Sequence, residues 1–434
     1  MKKIFNTYTS ALAALFLVAS CAPKEQDYEV LNSTADFGKY VAIGNSLSAG
    51  FADGGLYLEG QKVAFPNLIA AQMQQIGGGS FTSPFFSESQ ANGSGYLRLA
   101  ALTNGVPTTE NVTTNLAIRG MSPGNTPLYT KYEGTEINNL GVPGMRLDMA
   151  FAPRVGSAAG NPYFERLLVG NDTETTYFGY STTKQHTFFS FWLGNNDVLG
   201  YAMNGAVRTG STTTLTEAGM FTALYNNYIT ALTAQQQKGV VATIPDVTSI
   251  PYFTTITQAQ LAEGVRQATQ GQATNVLIRT KTTVRPATPE DYFFLTLPRE
   301  HLGRDTYNGV PLFGISPNNP IPDNMVLDKD EVEEVRARVN QFNAVIKQAA
   351  ESKGLALVDM HDFLNKVKAG IVYNGVPINS QFIRGNAFSL DGVHLTPIGN
   401  AIVANQFIEA INQKFNASIP RVDVTQYSGV RMPN

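Results

Sequence analysis

Short apolar runs recur along the chain, separated by stretches with helical spacing. Tyr40-Val41-Ala42-Ile43 is rich in β-branched and aromatic residues and stops at Gly44, the pattern of a buried strand. Residues 136–142 read as a second strand running into Pro143-Gly144. Residues 187–193 read as a third, ending at Gly194-Asn195-Asn196-Asp197. Residues 239–244 form a fourth, stopped by Pro245, and residues 355–359 the last. Helical spacing fills the gaps. Residues 65–73 predict a helix ended by Gly77-Gly78-Gly79. Thr214-Leu215-Thr216-Glu217 has the form of a capping box opening a helix to Leu232. Over residues 328–353, Val332, Val335, Val339, Phe342, Ile346 and Ala349 fall three or four apart on one face, and Gly354 closes the helix. Thr396 and Pro397 open a final helix through Ile398, Ile402, Val403, Phe407 and Ile411. Strand alternating with helix predicts an α/β protein, a mostly parallel sheet covered by helices on both faces.

Three stretches fall outside this alternation, at about residues 52–135, 145–186 and 251–325, and read as large loop insertions. Residues 80–133 are rich in Ser, Thr, Asn, Gly and Pro, with Phe81, Phe85, Phe86, Tyr96 and Tyr129 among them. A stretch this long inside a domain is expected to be an ordered excursion, whose aromatics could wall a cleft. Residues 251–325 predict a helix at 258–269 and a short strand at 292–297. The domain so drawn spans residues 37–417, and residues 418–434 form a C-terminal tail. No internal repeat is visible.

Met1-Lys2-Lys3 followed by the apolar run Ala11 to Ala19 predicts a signal peptide over residues 1–20, too short to span a membrane. The run ends Leu17-Val18-Ala19-Ser20-Cys21, which resembles the bacterial lipobox. Cys21 is the only cysteine, so no intramolecular disulfide can form, and lipidation of Cys21 gives it a purpose. Acyl chains there would anchor the protein to a membrane rather than thread it through. Residues 21–36 then form a polar tether. Its Lys24-Glu25-Gln26-Asp27 resembles the charged signal of surface-exposed lipoproteins in Bacteroidetes, which implies the outer membrane. Charged residues are only 15% of the chain, and the formal net charge is −3. With no basic run and no excess of Lys and Arg, nucleic acid is excluded as a partner. No Cys/His cluster has metal-ligand spacing.

The chain holds four histidines. His394 lies in Asp391-Gly392-Val393-His394, just before the final helix, where a turn could bring carboxylate and imidazole together. The same residues could form an ordinary polar turn. His361, in Asp359-Met360-His361-Asp362, also has acids nearby, but its position suits a structural role at a strand-to-helix junction. His186 and His301 read as surface residues. Ser46 follows the first strand, where an α/β fold places its ligand crevice, and reads either as a nucleophile or as a helix cap. Gly120-Met121-Ser122-Pro123-Gly124 matches G-x-S-x-G literally. Pro123 has no N–H to give an oxyanion, and no clear strand precedes Ser122, so this motif is rejected. Donors for an oxyanion are available elsewhere: the backbone N–H of Ser46, the backbone N–H of Gly144 and the side-chain amide of Asn196, each at the end of a different predicted strand.

Taken together, these segments resemble the SGNH, or GDSL-type, hydrolase superfamily. Gly44-Asn45-Ser46-Leu47 is similar to the block that carries the nucleophile. Asn139-Leu140-Gly141-Val142-Pro143-Gly144 is similar to the block of the oxyanion glycine. Gly194-Asn195-Asn196-Asp197 is similar to that of the oxyanion asparagine, and Asp391-Gly392-Val393-His394 to that of the acid and base. Position 45 departs from the family pattern, being Asn where Asp is usual. The resemblance implies a three-layer α/β/α sandwich of flavodoxin-like type. It implies Ser46, Asp391 and His394 as catalytic residues, and Ser46, Gly144 and Asn196 as the oxyanion hole. It further implies no cofactor and no metal, and hydrolysis of acyl or acetyl esters of lipids or glycans by a lipid-anchored extracytoplasmic protein, expected to be a monomer. The alternative is an inactive glycan-binding lipoprotein that kept the fold.

Overall fold

The computed structural model describes residues 33–433 except Asn104 and Asp305. The signal segment, Cys21 and the tether up to residue 32 lie outside the described residues. Four parallel strands form the central sheet: β1 (Tyr40–Gly44), β2 (Phe188–Trp192), β3 (Lys238–Ala242) and β4 (Ala356–Val358), side by side in that order. Every residue of β1 and β2 is buried, which is why their sequences are continuous apolar runs and do not alternate.

The predicted second strand is only partly a strand. Residues 138–142 run parallel to β1 on its free edge, with one ladder bridge at Asn139 and backbone bonds from Ala42 N to Asn138 O (2.8 Å), Leu140 N to Ala42 O (2.8 Å) and Val142 N to Gly44 O (3.1 Å). Side-chain amides interrupt the ladder: Asn138 donates to Tyr40 O and Asn139 to Ser48 O. With this edge included, the chain goes to one side of β1 first and to the other side afterwards. That reversal makes the crevice at the end of β1 the switch point where open α/β sheets bind ligands.

Helices α1 (Ser46–Ala49), α2 (Phe65–Gln74), α3 (Asn196–Ala202), α4 (Ala218–Leu232), α5 (Lys329–Lys353), α6 (Met360–Ala369) and α7 (Pro397–Phe415) surround the sheet. Trp192 meets Phe65 of α2 and Phe407 of α7, whereas its neighbour Phe191 meets Tyr225 and Tyr228 of α4. Adjacent strand residues point to opposite faces, so α2 and α7 cover one face and α4 the other. Helix α5 joins α4 through Phe342, stacked 3.7 Å from Phe221. Three layers result. The ends of α5 follow local chemistry: Asp328 and Glu331 form a capping box, and Gly354 takes the left-handed conformation that closes the helix. Thr396 caps α7 by accepting from Gly399 N. The capping box expected at Thr214 is absent. Helix α4 starts at Ala218, and the Thr214 hydroxyl donates back to Gly210 O at 3.0 Å instead of capping it.

The stretches read as insertions are ordered. Within 52–135, α2 belongs to the body itself. The rest includes a hairpin of Tyr96–Thr103 with Val106–Val112 and a smaller one of Ile118–Met121 with Pro127–Tyr129. Aromatics hold this excursion together. Phe81 stacks on Tyr40, Tyr96 on Tyr57, and Phe86 and Tyr129 share a small separate core. Residues 251–325 have a core of their own around Leu261, Val265, Ile278, Phe293 and Phe313. Their helix is Gln258–Ala268, and the predicted strand shrinks to Tyr292–Phe293. The last residues of the tether are docked: Thr34 N donates to Phe415 O at 2.9 Å, and Ala35 is buried. The segment after α7 is docked as well, with Asn405 clamping both backbone groups of Val422. Among the described residues no helix is long and apolar enough to cross a membrane.

One buried hydroxyl ties the sheet edge to the end of β1. Tyr177 Oη donates to Leu140 O at 2.6 Å and accepts from Gly44 N at 3.2 Å. Tyr177→Phe leaves both backbone groups without a partner where no water can replace it. A loss of about 1–3 kcal/mol in unfolding free energy is expected, read by chemical denaturation. An unchanged midpoint would show that the hydroxyl carries no such weight.

Candidate active site

The end of β1 turns within one residue. A Cβ on Gly44 would lie 2.1 Å from Ser48 Oγ, so only glycine lets α1 fold back this closely. Asn45 caps α1, its Oδ1 accepting from Leu47 N at 3.1 Å. This explains why Asn serves where the family pattern has Asp: the cap needs an oxygen acceptor, not a charge. Ser46 is the first residue of α1, so its N–H has no intrahelical acceptor.

The turn before α7 presents the histidine. Gly392 takes φ +71°, allowing Asp391 to fold over its own loop. Asp391 Oδ1 accepts from Val393 N and His394 N, both at 2.8 Å, and from Ser389 Oγ at 3.1 Å. Its Oδ2 accepts from His394 Nδ1 at 2.8 Å and from Gly54 N at 2.9 Å. A carboxylate only accepts, so Nδ1 carries the proton and Nε2 has its lone pair free. Nε2 lies 2.9 Å from Ser46 Oγ, joining residues 348 positions apart. Burial by itself would raise the Asp391 pKa. The His394 charge and hydrogen bonds, with the N–H of Val393, outweigh it and hold the carboxyl well below the usual carboxylate range. The Phe51 ring rests on the imidazole at 4.7 Å.

The other side of Ser46 is lined by Gly144 and Asn196. Gly144 has φ +76°, outside the reach of ordinary residues. Asn161 Nδ2 donates to Pro143 O at 2.8 Å. That carbonyl belongs to the same planar peptide as the Gly144 N–H, so fixing one aims the other in the opposite direction. The Gly144 N–H has no partner among the described residues. Asn196 spends one amide N–H on Met145 O at 3.0 Å and keeps the second. The N–H groups of Ser46 and Gly144 and the second amide N–H of Asn196 are thus without a partner among the described residues, and these three residues line one cleft.

Sequence reasoning missed the groups behind these donors. The buried Asp197 accepts from Leu147 N (2.8 Å), Asp148 N (3.3 Å) and Thr216 Oγ1 (2.9 Å). Arg146, 1% exposed, forks onto Asp148 and reaches Thr216 Oγ1 and Asn196 O. Together they lock the Gly144 segment to the Asn196 segment. Burial, reinforced by the Asp148 carboxylate, pushes the Asp197 carboxyl up. A clue was present in the sequence, since an acid directly follows a buried strand end at Gly194-Asn195-Asn196-Asp197. Asn161, in a polar loop, gave no signal.

The remaining candidates lie elsewhere. His361 sits in the first turn of α6, its N–H bonded to Thr243 Oγ1 at the strand-to-helix junction. His186 is not a surface residue. It is buried, and its ring nitrogens lie 2.8 Å from Lys184 O and 3.0 Å from Leu232 O. His301 is half-buried beside Tyr307. Ser122 sits in the turn of the 118–129 hairpin, bonded to Thr126. Among the described residues no group of three or more His, Cys, Asp or Glu could hold a metal.

Ser46 and His394 open into a cleft of about 880 Å³. All three insertions wall it: Leu97 and Pro107 from the first, Met149 and Tyr163 from the second, Leu295 and Arg299 from the third.

A family model described as GDSL-like Lipase/Acylhydrolase matches residues 40–407. No curated protein matches. Similar solved structures include a catalytic mutant of an acetylxylan esterase from Geobacillus stearothermophilus, 11% identical with a TM-score of 0.35, covering 87% of this chain and 96% of that one. They also include a lipase/acylhydrolase from Enterococcus faecalis, 11% identical with a TM-score of 0.33, over 88% and 99%. An extracellular lipase from Streptomyces rimosus is 12% identical with a TM-score of 0.32, over 87% and 98%.

Asn161→Leu frees the Pro143–Gly144 peptide to rotate. Turnover of a short ester is expected to fall roughly 10²-fold with KM little changed, because the Gly144 N–H matters most once charge develops on the oxygen. A change confined to KM would contradict this role.

Proposed function

Because the chain belongs to the GDSL-like lipase/acylhydrolase family and is therefore a serine ester hydrolase, we propose that Ser46 is its nucleophile, His394 its base and Asp391 the acid that orients the base. The observation that carries the reading is the line from Ser46 Oγ to His394 Nε2 at 2.9 Å and from His394 Nδ1 to Asp391 at 2.8 Å.

Ser46 Oγ attacks the ester carbonyl carbon and gives its proton to His394 Nε2. The carbonyl oxygen becomes an oxyanion, held by the N–H groups of Ser46 and Gly144 and by the free amide N–H of Asn196. Collapse breaks the bond to the alcohol, which leaves with the proton from His394. A water, deprotonated by His394, then attacks the acyl-enzyme and releases the acid. Asp391 stays ionised throughout, holding Nδ1–H and stabilising the imidazolium.

The substrate in this reading is a carboxylic ester, with an acyl or acetyl group on a lipid or glycan alcohol. The cleft suits one with apolar bulk, since Phe51, Leu97, Met149, Leu199 and Phe382 form much of its wall. The reading extends to an extracytoplasmic protein anchored through Cys21 to the outer membrane. The signal-like run ending in Ala19-Ser20-Cys21 supports it.

Labelling with a fluorophosphonate probe tests the nucleophile. Wild type is expected to label and Ser46→Ala to stay unlabelled, with ester turnover reduced roughly 10³-fold or more. A folded wild type that takes no label would overturn the assignment. For the anchor, Cys21→Ser is expected to move the protein from the membrane fraction to the soluble one and to abolish incorporation of labelled palmitate. Equal membrane retention in both forms would refute it.

A further inference from the structure

The main cleft is not the only space that reaches the nucleophile. A smaller cavity of about 50 Å³ also touches Ser46 and His394, and much of its wall is Leu47, Leu199, Pro245, Val247, Ile250 and Val393. Beyond it lies a chamber of about 80 Å³ beneath α6 and α7, bounded by Trp192, Met360, Phe363, Leu364, Val367 and Phe388 among others. Every residue lining that chamber is apolar or glycine. Leu47, Pro245, Ile250 and Val393 line both spaces, so only these side chains stand between them. Leu47 and Val393 are half-buried.

Protein interiors rarely keep such voids, because the lining atoms forfeit their dispersion contacts. The chamber, being wholly apolar, also stays dry. Such a chamber, reached from Ser46 through a small cavity whose polar side is Asn45, Asn195 and Asn196, suits an apolar occupant that arrives with the substrate. We propose that this track is the acyl site, and that the substrates are esters of unbranched aliphatic acids whose chain runs from Ser46 past Leu47 and Val393 into the chamber under α6. The proposal rests on the reading of Ser46 as the nucleophile of an ester hydrolase and adds the acid half of the substrate to it.

The geometry of the ester favours this division. Three groups surround its planar carbonyl carbon. The carbonyl oxygen faces the donors of Ser46, Gly144 and Asn196. The alkoxy oxygen must face His394 Nε2 to receive a proton. The acyl chain takes the third direction. The alcohol half then occupies the main cleft, where Thr109, Thr212, Thr296 and Arg299 offer hydrogen bonds that the chamber under α6 lacks.

Chain-length selectivity of the purified enzyme tests this, using nitrophenyl esters from acetate to dodecanoate. Each methylene buried in the track should raise kcat/KM roughly fourfold until the chamber is full. Ile250→Phe and Val367→Phe narrow the track at two depths. Each is expected to lower the octanoate-to-acetate ratio of kcat/KM at least tenfold while thermal melting shows a folded protein. Ile250→Ala widens the track and is expected to shift the preference toward dodecanoate. A wild type with no gain from acetate to octanoate overturns the proposal. So does a ratio that ignores the Ile250 and Val367 variants but moves with Met203→Trp in the main cleft, which would place the chain there. In either case ester turnover and phosphonate labelling still stand for Ser46. A wild type inert to all esters and to the phosphonate overturns the reading of Ser46 and this proposal together.

Discussion

Asp391 is bound so completely that the end of the molecule around Ser46 and His394 is organised around it. One oxygen gathers its own turn through Ser389, Val393 and His394. The other holds the imidazole and reaches across to Gly54, far away in the chain. A buried carboxylate is costly unless its lone pairs are filled, and here each bond that fills one also positions a loop. The charge survives burial because backbone N–H groups and the imidazole surround it. The imidazole, in turn, has a single orientation in which Nε2 faces Ser46. Ser46 is held independently by the Asn45 cap and the glycine turn at the end of β1, so the two halves of the candidate site meet as preformed parts.

A second buried cluster serves the opposite side of Ser46. Arg146, Asp148, Asp197 and Thr216 bind one another, and through Leu147 N and Asn196 O they bind the two segments that carry Gly144 and Asn196. Asn161 sets the plane of the peptide that carries the Gly144 N–H. Their effect is to remove freedom from the Gly144 and Asn196 donors, and donors fixed in advance can stabilise a charge without reorganising. The price is a set of polar groups in the interior that tolerate few substitutions.

The insertions give the scaffold its particular character. The strand ends and their short loops would by themselves form a shallow crevice. A hairpin from residues 96–112, the loop carrying Met149 and Tyr163, and the separately cored 251–325 segment raise walls around it. The aromatics of the first insertion brace that wall from behind and do not line the cleft. Each wall has its own packing, so the cleft is a property of the assembled segments.

What could be read from the sequence was what is local. The strands at 40–44 and 188–192 showed as unbroken apolar runs because both faces of that sheet are covered. The helices at 329–353 and 397–415 showed in a three-to-four spacing and in caps whose partners lie within a turn. The short blocks around Ser46, Gly144, Asn196 and His394 pointed to the family for the same reason, since each lies within a few consecutive residues. What the sequence left open depended on partners far apart in the chain. Residues 136–142 have strand composition, but amides at Asn138 and Asn139 take over their ladder. His186 looked exposed because its neighbours are polar, although two carbonyls and the body of the protein enclose it. Asn161 and Arg146 gave no warning at all. Composition and spacing therefore determined the layers and nominated the candidate site residues. Only the tertiary structure decided which buried polar groups satisfy one another, because that choice is made by three-dimensional proximity and leaves no periodic trace along the chain.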